Sequence, residues 1–148
     1  MPSTYLSLHY HLVFSTKERR SMIDPEWQSR LHEYLGGTVN GLKGFAQGVG
    51  GVSDHVHLLV GLKATHCLAD FMRELKKASS IWVHDEIRNR DFAWQEGYAG
   101  FTVSATSREG VRRYIANQAA HHRERGYRDE LVDLLAKADI EYDPKYLD

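Results

Sequence analysis

Cysteine is almost missing from this chain of 148 residues. Cys67 stands alone, so no internal disulfide can form, and the composition fits a reducing cytoplasm. Long apolar runs are missing too. No stretch approaches the roughly 20 residues that a membrane helix needs. The opening MPSTYLSLHYH lacks the basic region and apolar core of a secretory leader. There are no repeats, low-complexity tracts or linker-like segments, so residues 1–148 read as one domain. A strong net charge is also absent. The formal value is −1, which at first argues against a polyanionic partner. The balance is uneven, however: residues 129–148 carry a net −5 and the remainder a net +4. An acidic tail on a mildly basic body is compatible with polyanion binding through local patches.

What is present is a succession of periodic segments. Residues 5–15, YLSLHYHLVFS, alternate. Leu6, Leu8, Tyr10, Leu12 and Phe14 fall on one face of a strand, and Tyr5, Ser7, His9, His11 and Val13 on the other. STKERRSM is a polar, basic loop. In DPEWQSRLHEYLGGTV, Asp24 is placed to cap a helix and Pro25 to occupy its first position. FAQGVGGVS reads as a second strand, broken by glycine near its end, and DHVHLLVGL as a third. A long helix covers THCLADFMRELKKASSIWVHDEI, with Leu68, Phe71, Met72, Leu75, Ile81 and Trp82 on its apolar side. GFTVS makes a fourth strand. SREGVRRYIANQAAHHRER is a helix with Ser107 at its cap, and RDELVDLLAKADI a last short one.

The order strand, helix, strand, strand, helix, strand is that of an α+β, ferredoxin-like (RRM-like) split β-α-β sandwich. Its antiparallel sheet has helices on one face, with an added C-terminal helix. Side chains alternate along a strand. Val56, Leu58 and Val60 therefore face the helices. His55 and His57 face the open side, where His9 and His11 also point.

Two imidazoles at i and i+2 of a strand lie roughly 6.6 Å apart and can converge on one ion. A third ligand must come from elsewhere. VRRYIANQ places Tyr114 and Gln118 one helical turn apart on one face. A glutamine amide oxygen can ligate a hard cation, and a tyrosine beside it could act as a nucleophile. On the residues alone, both pairs also read as ordinary polar and packing positions.

Five ordered stretches together resemble one family. They are YHLVFSTKERR, DHVHLLV, LKKASS, WQEGYAGFTVS and YIANQ, between residues 5 and 123. The family is the single-tyrosine HUH transposases: small insertion-sequence transposases and REP-associated tyrosine transposases. The resemblance makes His55, His57 and Gln118 ligands of Mg²⁺ or Mn²⁺ and Tyr114 the nucleophile. It implies a substrate of single-stranded DNA marked by a hairpin, a 5′-phosphotyrosine intermediate and a free 3′-hydroxyl. It also implies a homodimer, in which the tyrosine helix can complete the partner's site; spacing does not choose between cis and trans. No small-molecule cofactor beyond the metal is implied, and the location would be cytoplasmic, at the nucleoid.

Local basic groups would position phosphates without reading sequence: Lys17, Arg19 and Arg20; Arg73, Lys76 and Lys77; Arg112 and Arg113, then His121, His122 and Arg123. No general base stands out, with His9, His11 and Asp54 as second-layer candidates. Three other readings stay open. One is a non-enzymatic single-strand-binding module, which would want exposed aromatics on the open face, where Tyr5 is the only one in the first strand. The others are a metal-dependent hydrolase without a tyrosine intermediate and a domesticated nuclease acting on chromosomal repeats.

Overall fold

A computed structural model describes residues 3–122 and 125–147. The sheet has four antiparallel strands in the order β2-β3-β1-β4, with β1 at His9–Ser15, β2 at Phe45–Val52, β3 at His55–Gly61 and β4 at Ala99–Val103. Helices α1 (Pro25–Gly41) and α2 (Leu68–Trp82) connect them in the split β-α-β order. They cover one face. Leu12, Phe14, Val56, Leu58 and Val60 meet Leu31, Leu35, Val39, Phe71, Met72 and Leu75 there in the main core. Asp24 caps α1, its Oδ1 accepting from the Glu26 amide at 2.8 Å, and Pro25 opens the helix as its missing donor allows.

Three boundaries differ from the sequence reading. The alternation from residue 5 predicts a longer first strand. The strand begins at His9 because its partners end there, at Gly61 on one side and Val103 on the other. Tyr5 and Leu6 are consequently exposed. The second helix ends at Trp82 and passes into a π-turn over Val83–Ile87, closed by Arg88 in the left-handed region (φ 65°), so Ile81 is exposed instead of packed. The tyrosine helix is not continuous. It is split at Asn117 into α3 (Arg108–Ala116) and α4 (Gln118–His121). Ser107 sits at the first cap but makes no capping bond; its hydroxyl instead accepts from Ser104.

The second sheet face, expected to be open, is covered. Ile115 of α3 packs on Leu59 and Val103. Helix α5 (Tyr127–Lys137) folds back and, with Leu147 from the segment after it, seals Val13 beneath Tyr127, Leu131 and Leu135. The apolar stripe of α5 has to be buried somewhere, and β1 supplies the surface. Glycine makes the close seating of α3 possible. A Cβ at Gly50 would lie 2.1 Å from the Ile115 carbonyl oxygen. Gly51 has a φ of +153°, and a Cβ there would lie 2.3 Å from the His55 carbonyl oxygen, so the backbone at the β2–β3 turn admits only glycine comfortably.

Candidate active site and metal centre

β3 aims His55 and His57 at the second face, and both are fully buried. Each imidazole is oriented through Nδ1. His55 Nδ1 meets Asp54 Oδ1 at 2.7 Å, and His57 Nδ1 meets His11 Nε2 at 2.7 Å across the β1–β3 pair. Holding one ring nitrogen presents the other, Nε2, in a defined direction. His11 thus belongs to the site. His9 does not: its Nδ1 meets Gln47 Oε1 at 2.9 Å near the sheet edge.

The two Nε2 atoms meet groups from α4 (Gln118–His121) and α5. Gln118 Oε1 lies 3.2 Å from His55 Nε2 and 3.0 Å from His122 Nε2. Glu130 Oε1 lies 3.1 Å from His55 Nε2, 3.0 Å from His57 Nε2 and 3.0 Å from His122 Nε2. The other carboxylate oxygen, Oε2, accepts from the Tyr114 hydroxyl. All these groups converge within one chain.

His55, His57, His122 and Glu130 together form a cluster of metal-ligating type. Donors in neighbouring positions around an ion bonded at roughly 2.1 Å lie about 3–3.4 Å apart; the nitrogen-to-oxygen separations here are 3.0–3.2 Å, and the ligand atoms of the cluster all lie within 4.8 Å of one another. Three imidazoles, a carboxylate and an amide make a chemically complete donor set for a divalent ion, and the Asp54 carboxylate at His55 Nδ1 is the kind of outer contact a metal-bound histidine makes.

The electrostatics reflect packing of charge in a dry place. Burial alone would raise the Glu130 carboxyl. Hydrogen bonds from His122, His55 and His57 reverse this and hold it far below the usual carboxylate range. Burial would lower His55, but its bonds to Asp54 and Glu130 outweigh that and push it up to about 9. His57 ends below the ordinary imidazole value, because burial and the adjacent His55 and His122 outweigh the pull of Glu130. Burial and then His57 push His11 down to about 3. Burial and the bond to Glu130 raise the Tyr114 phenol well above its ordinary value.

The basic groups do not form one patch. Lys17, Arg19 and Arg20 lie in the turn after β1, which is tied to the His55 end by the bond from the Thr16 amide to the Asp54 carbonyl at 2.8 Å. Arg112 and Arg113 are exposed on α3, and both are within ion-pair reach of Glu109. Arg73 and Lys77 are exposed on α2, in the layer on the other side of the sheet. Lys76 is committed elsewhere: its ammonium donates to the carbonyls of Gln95, Glu96 and Gly97 at 2.5–3.0 Å, which makes it a brace for that loop instead of a phosphate contact. His122 is a member of the cluster, not part of a basic run, and Arg123 lies outside the described residues.

With this geometry in view, the similarities to known proteins are informative. Residues 4–118 match the family described as "Transposase IS200 like". The chain belongs to that family. It is a DNA-cleaving transposase of the single-tyrosine class. The ISDra2 transposase TnpA of Deinococcus radiodurans is 29% identical over 119 residues, covering 75% of this chain and 84% of that one. A solved transposase structure from Deinococcus radiodurans aligns with a TM-score of 0.66 and 27% identity, over 80% of this chain and 95% of that one. A REP-associated tyrosine transposase bound to a REP hairpin shares the fold, with a TM-score of 0.60 at 14% identity, over 82% and 73% of the two chains. The family match stops at Gln118, so two members of the transposase's cluster, His122 and Glu130, lie beyond it.

Proposed function

We propose that this transposase cuts and rejoins single-stranded DNA at hairpin-marked ends, with Tyr114 as the nucleophile and a divalent cation held by His55, His57, Gln118 and the additional donors His122 and Glu130. The observation that carries the reading is the meeting of the Tyr114 hydroxyl with the three-histidine cluster through a single carboxylate. The donor set is rich in imidazole, which favours Mn²⁺ over Mg²⁺, since magnesium prefers oxygen ligands. When bound, the ion supplies positive charge that polarises the scissile phosphate and offsets charge developing on it.

The chain's own residues do the rest. Asp54 and His11 hold the imidazoles of His55 and His57 in register. Gln118 carries its amide into the cluster from α4, just past the break at Asn117. Tyr114 attacks the phosphorus in line, forming a 5′-phosphotyrosine and releasing a 3′-hydroxyl. The phosphoester bond is conserved in the adduct, so a 3′-hydroxyl can attack it in turn and rejoin strands without a nucleotide cofactor. Lys17, Arg19 and Arg20 near the His55 end, and Arg112 and Arg113 on α3, would hold phosphates of the DNA backbone.

The test is a single-stranded oligonucleotide carrying a hairpin, incubated with Mn²⁺ and either wild-type protein or Tyr114→Phe. Wild type is expected to give a covalent protein–DNA adduct. Tyr114→Phe is expected to bind the DNA without cutting it. Cleavage by Tyr114→Phe would replace this reading with metal-dependent hydrolysis.

A further inference from the structure

We infer, on the reading of single-stranded DNA as the substrate, that the end of the sheet away from His55 holds a second contact for that strand. Phe45 and His9 form a platform on which one unpaired nucleobase stacks. Lys43, Lys63 and Arg108 surround it and take phosphates.

Strand register builds the platform. Phe45 of β2, Gly61 of β3 and His9 of β1 pair in one row across the sheet, and directly opposed residues share a face. Gly61 follows His57 by four residues on β3, so the row lies on the same face as the cluster, roughly 13 Å away. A Cβ at Gly61 would lie 3.5 Å from His9 Nδ1 and 3.6 Å from the Phe45 Cβ, so both side chains flank this bare position. Gln47 holds the imidazole there, with its Oε1 2.9 Å from His9 Nδ1. Gln47 is the extra residue where β2 slips register between Ala46 and Gly48, and such bulges re-aim side chains. Ile115 of α3 covers the neighbouring position Leu59, whereas Phe45 is 65% exposed.

A lone exposed phenylalanine is ordinary. This one lines a groove of about 560 Å³ together with Leu6, also exposed, and with Lys43, Lys63 and Arg108. Among the described residues no carboxylate lines it. A purely apolar partner would strip water from the cations without pairing them. A polyanion without bases would leave Phe45 and Leu6 in water. Single-stranded nucleic acid meets both demands, since its bases stack on rings and its phosphates meet the cations. The groove also leads toward the nucleophile. Gln47 and Arg108 line the next depression too, where Arg112 of α3 stands two residues before Tyr114. Glu109 is there as well and pairs with Arg112, which leaves Arg108 as the cation common to both depressions.

The test uses the full chain with no divalent ion added, so that the strand is bound and not cut. The probe is the hairpin oligonucleotide with single-stranded tails, carrying 2-aminopurine at one tail position at a time; its fluorescence falls on stacking. Wild type is expected to quench one tail position strongly. Phe45→Leu keeps apolar bulk but removes the ring, and is expected to lose that quench and to bind about 5- to 100-fold more weakly. Phe45→Trp is expected to restore both. Lys63→Gln is expected to flatten the dependence of log affinity on log salt by about 0.7 and to leave the quench in place. A blunt duplex is expected to bind Phe45→Leu and wild type alike. Wild-type affinity or an unchanged quench in Phe45→Leu would overturn the inference, as would an equal loss on the blunt duplex. Unchanged DNA binding with an altered sedimentation coefficient would overturn it too, and give the patch to a second copy of the chain. A wild-type protein that does not bind the tailed hairpin at all would instead bring down the underlying reading of the substrate.

Discussion

At the scale of single residues, histidine does two unrelated jobs in this chain. The site histidines are buried in pairs with defined partners. His32 on α1 is half-buried, and its Nε2 has no hydrogen-bond partner among the described residues. Burial pushes its pKa down from 6.5 to about 4. A depressed folded-state pKa means that the unfolded chain binds this proton first. The stability associated with a neutral His32 is therefore complete above about pH 6.5 and is lost as pH falls toward 4. Thermal unfolding of His32→Gln across pH 4–7 is expected to show a flatter decline than wild type on the acid side. A parallel decline in the two proteins would assign the acid sensitivity to other groups.

At the scale of elements, the contact of α3 on β2 decides where Tyr114 and Gln118 sit. Gly50→Ala places a methyl group against the Ile115 carbonyl, 2.1 Å from its oxygen before any relaxation. β2 is backed on its other face by α1, so α3 must lift. Overpacking of this kind costs about 1–3 kcal/mol, and the displaced helix takes Tyr114 and Gln118 away from the histidines. Urea denaturation is expected to register the lost stability, and Mn²⁺ titration a weakened affinity; a variant matching wild type in both would show that α3 does not depend on this approach. These elements also show what was legible in advance. The alternation of β1 and β3 placed Leu12, Phe14, Val56, Leu58 and Val60 on one face and the four histidines on the other, because period two follows from backbone geometry alone. The same local rules could not tell where β1 loses its partners, or that the helix breaks at Asn117. Nor could they tell that α5 returns to the sheet: Glu130 sits in an acidic stretch that, on sequence, could equally close over the site or merely solubilise the chain. His122 was visible one turn beyond Gln118 but read as part of a basic run.

At the scale of the whole molecule, ion binding and protonation compete for the same nitrogens. In the metal-free chain, His55 keeps its proton up to about pH 9. A ligand histidine must be deprotonated, so loading releases a proton and apparent affinity rises with pH up to that value. Calorimetry with Mn²⁺ in buffers of different ionisation enthalpy is expected to detect that release. Loading is also expected to raise the melting temperature in proportion to the logarithm of ion concentration above the dissociation constant, and a chelator to reverse it. A melting temperature indifferent to both ion and chelator would remove the cluster from the list of metal centres.

The meeting of β3, α3, α4 and α5 donors within one polypeptide has a genetic consequence. On the arrangement seen within this chain, two crippled alleles, one encoding His57→Ala and the other Tyr114→Phe, are expected to fail to complement when co-expressed; restored activity would show that copies exchange the tyrosine helix. Without such exchange, a catalytically dead copy would compete for DNA without poisoning its neighbours' chemistry, and activity would scale with the dose of wild-type chain.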